Sequence, residues 1–182
     1  MRDRTLEIPI LESPRLRLEP LTDAHSRGMF ELWREPAVCE HAGPAVDTDG
    51  HSIELPAASR AQSDRLLRFW LDRARAGTGF RWAVLAGDDS DFAGAVGFNA
   101  LAPCAEYAYH LVPRCWGRGL ATEASQLALS WCFSTGSESV ELYIEAANER
   151  SSRLAVRLGF ERAGPRDGDP SRYLLRRERH TE

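Results

Sequence analysis

The sequence predicts an α+β domain with a mixed, mostly antiparallel central sheet and helices on both faces. Three consecutive segments of alternating apolar residues, FRWAVLAG (80–87), FAGAVGFNAL (92–101) and CAEYAYHLV (104–112), are separated by short turns. This pattern is typical of an antiparallel meander. A long helical segment then precedes another strand at 140–148, and a crossover of that length normally joins parallel strands. Because 182 residues fit one domain with one core, we expect residues 1–182 to form a single domain.

Local patterns predict the elements before the meander. The alternating segment RLRLEPL (15–21) predicts a first strand, and HSRGMFELWRE (25–35) has the spacing of a short amphipathic helix. Residues 43–59 are rich in Gly, Pro, Asp and Ser, so we expect a long loop near the mouth of a functional site. The segment 63–77 begins with the capping pair Ser-Asp and ends at Gly77, which predicts a helix.

The elements after the meander are a helix, a strand, a second helix and a last strand. The first of these helices is predicted to end at about Phe133 by helical spacing of apolar residues, namely Leu120, Ala124, Leu127, Ala128 and Trp131. The strand at 140–148 precedes a helix at 151–160 that ends at Gly159. A strand at 171–178 closes a hairpin.

Composition and charge exclude several classes of function. The apolar runs are too short for a membrane span, and the N-terminal residues MRDRTLEIPI lack the apolar centre of a signal peptide, so we expect a cytoplasmic protein without a membrane partner. A net charge of -4 gives no support for nucleic-acid binding. The four cysteines have no CxxC spacing, so neither a metal site nor a disulfide framework is predicted. All 23 basic residues are arginine, which excludes a Schiff-base lysine and the lysine of a P-loop.

The stretch RCWGRG (114–119) lies between a predicted strand and a predicted helix. The first N–H groups of a helix have no internal partner and, with the helix dipole, form an anion site. Gly117 and Gly119 would let a pyrophosphate approach the main chain, and Arg114 and Arg118 could add charge-assisted hydrogen bonds. The alternative is a tight turn that binds nothing. Thr122 stands where a Rossmann fingerprint needs its third glycine, so that nucleotide motif is excluded.

The same stretch resembles the R/Q-x-x-G-x-G/A motif of the GCN5-related N-acetyltransferases (GNAT). WGRGLATEA (116–124) is similar to the branch that includes the RimJ/RimL-type acetyltransferases of ribosomal-protein N-termini. Three further segments resemble that branch in order and spacing: SPRLRLEPLT (13–22), AEYAYHL (105–111) and NERSSRLAVRLGF (148–160). The resemblance covers most of residues 13 to 160.

The resemblance implies the GNAT fold, with acetyl-CoA as cofactor and CoA as product. The pyrophosphate would lie on main-chain N–H groups of the glycine stretch. The pantetheine arm would lie between two splayed parallel strands, 104–112 and 140–148, like an added strand. The residues that the resemblance assigns to cofactor binding are Leu111, Val112, Arg114, Cys115, Trp116, Gly117, Arg118, Gly119, Leu120, Ala121, Thr122 and Asn148.

Three residues are candidates for the proton transfers of acetyl transfer to an amine. Glu106 matches a glutamate of the branch and is the first candidate for the base, and strand alternation places His110 on the same face. The alternatives are a solvated edge carboxylate for Glu106 and a packed strand residue for His110. Ser151 aligns with the serine proposed in the branch to protonate the thiolate, and its alternative is a helix N-cap.

The sequence also departs from the family pattern. Ala155 stands where many relatives have a tyrosine acid, Ala108 replaces a usual glycine, and Ala163 replaces a frequent acidic residue. Cys115 has no evident neighbouring base, so we interpret it as a loop residue. Five side chains are candidates for either an acceptor pocket or the core: Trp33, His41, Trp70, Phe98 and Tyr109.

The leading hypothesis is therefore an acetyl-CoA-dependent N-acetyltransferase that transfers the acetyl group directly in a ternary complex. Its acceptor would be a protein N-terminus or a small-molecule amine. Two alternatives are a non-catalytic acyl-CoA-binding or sensor module and an interaction protein that keeps only the fold. A homodimer is implied by the resemblance alone.

Overall fold

The computed structural model describes residues 6–87, 89–101, 103–165, 169 and 171–180. The strands of these ranges are, in chain order, β1 (Leu11–Glu12), β2 (Leu16–Pro20), β3 (Ala45–Val46), β4 (Ser52–Ile53), β5 (Phe80–Ala86), β6 (Asp91–Ala100), β7 (Cys104–Leu111), β8 (Ser139–Tyr143), β9 (Glu161–Arg162) and β10 (Arg172–Arg176). The helices are α1 (Ser26–Trp33), α2 (Pro36–Cys39), α3 (Arg60–Arg75), α4 (Leu120–Ser134), α5 (Glu149–Arg157) and α6 (Arg177–His180).

Eight of the strands form one mixed sheet in the order β1-β2-β5-β6-β7-β8-β10-β9, and β3 pairs with β4 in a separate hairpin. Neighbouring strands of the large sheet are antiparallel, except that β7 and β8 are parallel. Helix α4 supplies the crossover between this parallel pair, as its length requires. The predicted fold class is therefore confirmed.

The side chains of the sheet alternate between two helical layers. Tyr107 on β7 donates from its hydroxyl to Ser125 Oγ of α4 at 2.9 Å. His110, three positions later, lies on the opposite face, where its ring centroid is 4.8 Å from that of Trp33 in α1. Odd-numbered residues of β7 therefore face α4, whereas even-numbered residues face the layer that contains α1.

An aromatic cluster fills the core between the sheet and α4. Trp131 of α4 meets the strand residue Trp82 edge to face at a centroid distance of 5.2 Å and meets Phe80 at 5.3 Å. Phe98 joins the cluster from β6 at 6.0 Å from Trp131. All three strand residues are fully buried, so this cluster fixes the register of the meander from the α4 side.

Several predicted boundaries are wrong, and one is that of the helix predicted at 151–160, which spans Glu149–Arg157. Residues 43–59 contain the β3–β4 hairpin, which packs against α3. Helix α3 begins at Arg60, because Ser59 has extended dihedrals and accepts from the N–H of Gln62, whereas Ser63 is buried inside the helix. The strand expected at 140–148 ends at Tyr143.

None of the helices in the described ranges combines the length and apolar character that crossing a bilayer requires.

Candidate active site

A gap opens in the sheet where β7 and β8 stop pairing. Their parallel register pairs Cys104 with Ser139, Ala105 with Val140 and Glu106 with Glu141, and in the described residues it includes no later pair. Strand β7 nevertheless continues to Leu111, so its second half has a partner only on the β6 side.

Backbone groups of β7 point into this gap. The N–H of Val112 donates to the carbonyl of Ala93 at 2.9 Å, so alternation turns the N–H and C=O of Tyr109 and Leu111 away from β6. Trp116 Nε1 donates to the Leu111 carbonyl at 2.7 Å. The gap thus presents strand-like donors and acceptors to an extended ligand. Leu111 can offer its N–H there, whereas Val112 cannot because its N–H is already bonded.

The glycine stretch ends beside this gap and begins α4. Gly117 and Gly119 have φ of 72° and 76°, a left-handed conformation that favours glycine. Gly119 is the N-cap, and its carbonyl accepts from the N–H of Glu123 at 3.1 Å. The N–H groups of Leu120 to Thr122 belong to the first helical turn and have no intrahelical partner. A Cβ at Gly117 would meet no atom within 4 Å, so the main chain is open to a phosphate group.

The arginines around this stretch divide into two groups. Arg114 donates from Nη2 to the Phe92 carbonyl at 2.6 Å, so its guanidinium is engaged within the fold. Arg118 is exposed beside the glycines. Arg150 of α5 lies over the ring of Trp116, with its guanidinium carbon 4.0 Å from the ring centroid. Arg118 and Arg150 therefore add positive charge at the mouth of the gap, and of these two the sequence had singled out only Arg118.

Cys115, in the same loop, is buried with 6% of its surface exposed. Its N–H donates to the Val112 carbonyl at 2.9 Å. These contacts agree with its interpretation as a structural loop residue.

Glu106 is part of a chain of polar side chains on the α1 side of the sheet. Asn99 donates from Nδ2 to Oε1 of Glu106, and Arg81 donates from Nη2 to Oδ1 of Asn99. The neighbouring Glu141 is 5% exposed and accepts from Arg172 Nε at 2.8 Å. Glu106 is therefore a partly buried, oriented carboxylate rather than a solvated one. Sequence analysis had selected it but had missed Asn99 and Arg81.

His110 lies four residues after Glu106, on the same face of β7. Its Nδ1 is buried and has no hydrogen-bond partner within the described ranges. Burial, together with the nearby charge of Arg81, lowers the pKa of His110 to about 3. The imidazole is then neutral at neutral pH and accepts a proton poorly, which favours the interpretation as a packed strand residue.

Ser151 lies on the opposite side of the gap, in the first turn of α5. The N-cap of this helix is Asn148, whose Oδ1 accepts from the N–H of Ser151 at 3.1 Å. The N-cap alternative for Ser151 is therefore wrong, because asparagine caps helices as well as serine does and stands three residues earlier. The amide oxygen of Asn148 is correspondingly engaged by the helix.

The hydroxyl of Ser151 instead contacts Tyr109. Burial raises the pKa of the Tyr109 phenol, and a hydrogen bond with Ser151 and the charge of Arg150 oppose that rise. The two hydroxyl groups thus form a pair on the α5 side, while Glu106 lies on the α1 side. Proton acceptor and proton donor candidates therefore flank the gap from opposite faces of the sheet.

The five candidates for an acceptor pocket do not form one group. Phe98 belongs to the aromatic core, and Tyr109 faces α5. Trp33 and Trp70 lie on the Glu106 side, where Trp33 contacts His110 and Trp70 contacts Arg81. His41 pairs through Nδ1 with Glu145 Oε2 at 2.8 Å, which joins the segment after α2 to the segment after β8.

Hairpin β3–β4 is held to α3 by Asp47, whose Oδ2 accepts from Arg65 Nη2 at 2.5 Å.

A family profile decides the identity of this arrangement. The profile described as "Acetyltransferase (GNAT) domain" matches residues 15–161. The chain belongs to the GNAT acetyltransferase family. The match contains the glycine stretch, the gap between β7 and β8, and both faces of the candidate site.

Individual proteins are similar to this GNAT chain over most of its length. The uncharacterised N-acetyltransferase YoaA of Bacillus subtilis (strain 168) is 29% identical over 160 residues, which are 86% of this chain and 85% of YoaA. Spermidine N-acetyltransferase from Vibrio cholerae, in complex with CoA and spermine, has a TM-score of 0.74 at 16% identity and covers 93% of this chain and 100% of its own. RimL, a ribosomal L7/L12 alpha-N-protein acetyltransferase in complex with CoA, has a TM-score of 0.72 at 17% identity, with coverage of 92% and 98%. At these identities the two solved structures show the shared fold.

Proposed function

We propose that the protein is an N-acetyltransferase that moves the acetyl group of acetyl-CoA directly to a primary amine in a ternary complex. The observation that carries this proposal is the parting of β7 and β8 after Glu106, next to the left-handed glycines that begin α4. A strand edge and an anion site lie side by side there. Together they suit a ligand with an amide-containing arm and a pyrophosphate.

Different residues at the gap would bind different parts of acetyl-CoA. The backbone of Tyr109 and Leu111 would bond to the amides of the pantetheine arm. The main chain from Gly117 to Thr122 would hold the pyrophosphate, with Arg118 adding positive charge. Acetyl-CoA supplies an activated acetyl thioester.

Two groups on opposite faces of the sheet would move the protons. Asn99 bonds to Oε1 of Glu106, and the other oxygen, Oε2, would take the proton of the ammonium, directly or through water. The hydroxyl of Ser151, which lies near that of Tyr109, would donate a proton to the departing sulfur. His110 would form a neutral wall of the acceptor side.

The acceptor side presents carboxylates, and the buried Arg81 guanidinium lies behind one of them, Glu106. Glu106 and Glu145 lie at or near the parted strands, and Glu141 is neutralised by Arg172. We expect a cationic amine as acceptor, either a protein N-terminus, as the RimJ/RimL-like resemblance implies, or a small-molecule amine.

The test is calorimetric titration of acetyl-CoA into the wild type and into Gly117→Trp. A side chain at this open glycine would occupy the space that the pyrophosphate needs. The matched control is Gly77→Trp, because Gly77 also has a left-handed φ of 67° and open surroundings but lies after α3. We expect micromolar binding to the wild type and to the control, and loss of binding in folded Gly117→Trp.

Thiol release with a panel of amines then separates an enzyme from a binding module. Release of CoA that depends on an amine supports the transferase. Binding without release for any amine supports a non-catalytic acyl-CoA sensor instead. Failure of the wild type to bind acetyl-CoA would overturn both and leave a protein that only shares the fold.

A further inference from the structure

A buried arginine lies behind Glu106 without an ion pair of its own. Arg81 on β5 is 5% exposed, and it forms no salt bridge within the part of the chain that the structure describes. Burial of an unpaired charge is costly, so a charge retained there indicates a role. We propose that Arg81 and Asn99 are positioning residues that orient the Glu106 carboxylate for proton transfer, an inference that rests on the proposed role of Glu106 as the base.

Packing holds the Arg81 side chain in one place. Its guanidinium carbon lies 3.5 Å from the ring centroid of Trp70 in α3, a cation–π contact that strengthens when it is shielded from water. Nη1 donates to the Phe80 carbonyl at 3.0 Å. Its second terminal donor group, Nη2, is directed to Oδ1 of Asn99.

This contact fixes which end of the Asn99 amide faces Glu106. Arginine has only donors, so the amide oxygen must turn toward Arg81 and the NH₂ group must turn toward Glu106. The main chain of Asn99 is held as well, because Arg73 Nη2 donates to its carbonyl at 2.6 Å. The asparagine is thus held at both its backbone and its side chain.

A strand irregularity places Asn99 at this point. In the register of β6 and β7, Phe98 pairs with Tyr107 and Ala100 pairs with Glu106, so Asn99 is the extra residue of a bulge. Bulges re-aim side chains that a regular ladder would direct elsewhere. The Asn99 amide occupies Oε1 of Glu106 and leaves Oε2 for the acceptor.

The charge of Arg81 persists under working conditions. Burial lowers the pKa of Arg81 to about 9, and the nearby Glu106 carboxylate opposes that fall. At neutral pH the guanidinium therefore remains protonated and keeps Asn99 in its donating orientation.

A double-mutant cycle between Asn99 and Glu106 tests the assignment. The variants are Asn99→Ala, Glu106→Gln and the double variant, with kcat and both KM values measured for acetyl-CoA and an accepted amine. We expect Asn99→Ala to lower kcat roughly 10-fold to 100-fold, with the KM of acetyl-CoA changed less than about twofold. In the Glu106→Gln background the same change should alter kcat by less than about twofold, because the carboxylate to be oriented is gone.

Asn99→Asp separates positioning from packing. This variant keeps the shape of the side chain and the bond from Arg81, but its ionised carboxylate offers Glu106 no donor and repels it. We expect Asn99→Asp to keep a melting temperature close to that of the wild type. Its kcat should be as low as that of Asn99→Ala. Arg81→Met, which retains the packing against Trp70, should reduce kcat in the same direction.

The outcomes distinguish this proposal from the proposed function. A wild-type kcat in Asn99→Asp, or an equal loss from Asn99→Ala in both Glu106 backgrounds, would overturn the positioning role alone. Wild-type turnover in Glu106→Gln would overturn the base assignment and the positioning role together. Low turnover in Glu106→Gln with no further loss in the double variant supports both.

Discussion

Arg15 and Glu123 lie 108 positions apart in sequence, and Nε of the arginine donates to Oε2 of the glutamate at 2.7 Å. Ser13 donates to the other carboxylate oxygen. Nη1 of Arg15 also donates to the carbonyl of Arg118 at 3.0 Å. The turn between β1 and β2 is thereby tied to both the glycine stretch and the first turn of α4.

Glu123→Gln should weaken acetyl-CoA binding, because it loosens these contacts between the β1–β2 turn and the glycine stretch. Without the charged partner, Arg15 is held less firmly and the main chain at Arg118 gains freedom. Since the Arg15 side chain is 53% exposed and screened by water, we expect a modest loss of affinity, about threefold to tenfold, by calorimetry. Asp72→Asn is the matched control, because it removes the charge of an exposed carboxylate that pairs with Arg75 on α3. An unchanged Kd in Glu123→Gln would show that the tie does not hold the loop.

His110 should make the folded state sensitive to acid. The imidazole binds a proton below about 6.5 in the unfolded chain but only near 3 in the folded one. The unfolded state therefore binds more protons between these values, and the free energy of unfolding falls as the pH decreases through this window. The slope is at most about 1.4 kcal/mol per pH unit.

Urea unfolding at pH 7, 5.5 and 4.5 measures this contribution. His110→Phe keeps a ring against Trp33 and should lose less stability than the wild type over the same range. Parallel curves for the two proteins would contradict the neutral, buried state of the imidazole.

Removal of the hydroxyl pair should slow the chemical step. Ser151→Ala deletes the group that contacts Tyr109, and we expect kcat to fall about 10-fold to 100-fold while the Kd of acetyl-CoA stays within about twofold. If the serine alone donates the proton, the kcat of Tyr109→Phe should fall less than that of Ser151→Ala. Ser152→Ala, one residue further along α5, serves as the control. A wild-type kcat in Ser151→Ala would exclude the serine as proton donor.

Gly94→Ala should destabilise the meander next to the gap. A Cβ at Gly94 would lie 2.1 Å from the carbonyl oxygen of His110, so the backbone of β7 would have to move. We expect a loss of about 1–3 kcal/mol in the free energy of unfolding, measured with urea. Gly164→Ala, where a Cβ meets nothing within 4 Å, should stay near the wild type. Equal stability of the two variants would contradict the close approach.

The sheet and the glycine stretch could be predicted because their signals are local. Alternation along 80–112 and the positions of Gly117 and Gly119 are visible in the sequence itself. Hairpin β3–β4 was missed because strands of two residues have no periodicity to detect.

The surroundings of the candidate site depend on long-range contacts. Asn99 reaches Glu106 only through a bulge between two strands, and Arg81 becomes buried only when α3 covers it. Neither relation is encoded in neighbouring residues. The sequence left Ser151 open as a cap of α5, although Asn148 caps the helix, because the two residues are equally suitable by type. The catalytic roles of Glu106 and Ser151 stay predictions.

The parting of β7 and β8 leaves the sheet with a strand position that the polypeptide does not fill. Within the described residues, three register pairs provide the strand pairing between the β1–β7 side and the β8–β10 side. An extended molecule seated at this edge would bridge the two halves, so its binding energy would add directly to the resistance of the sheet to opening. For a single site, ligand at 100 times Kd adds about 2.7 kcal/mol to the stability of a folded protein. The lifetime of this chain in a cell would then follow the supply of the molecule that completes its sheet.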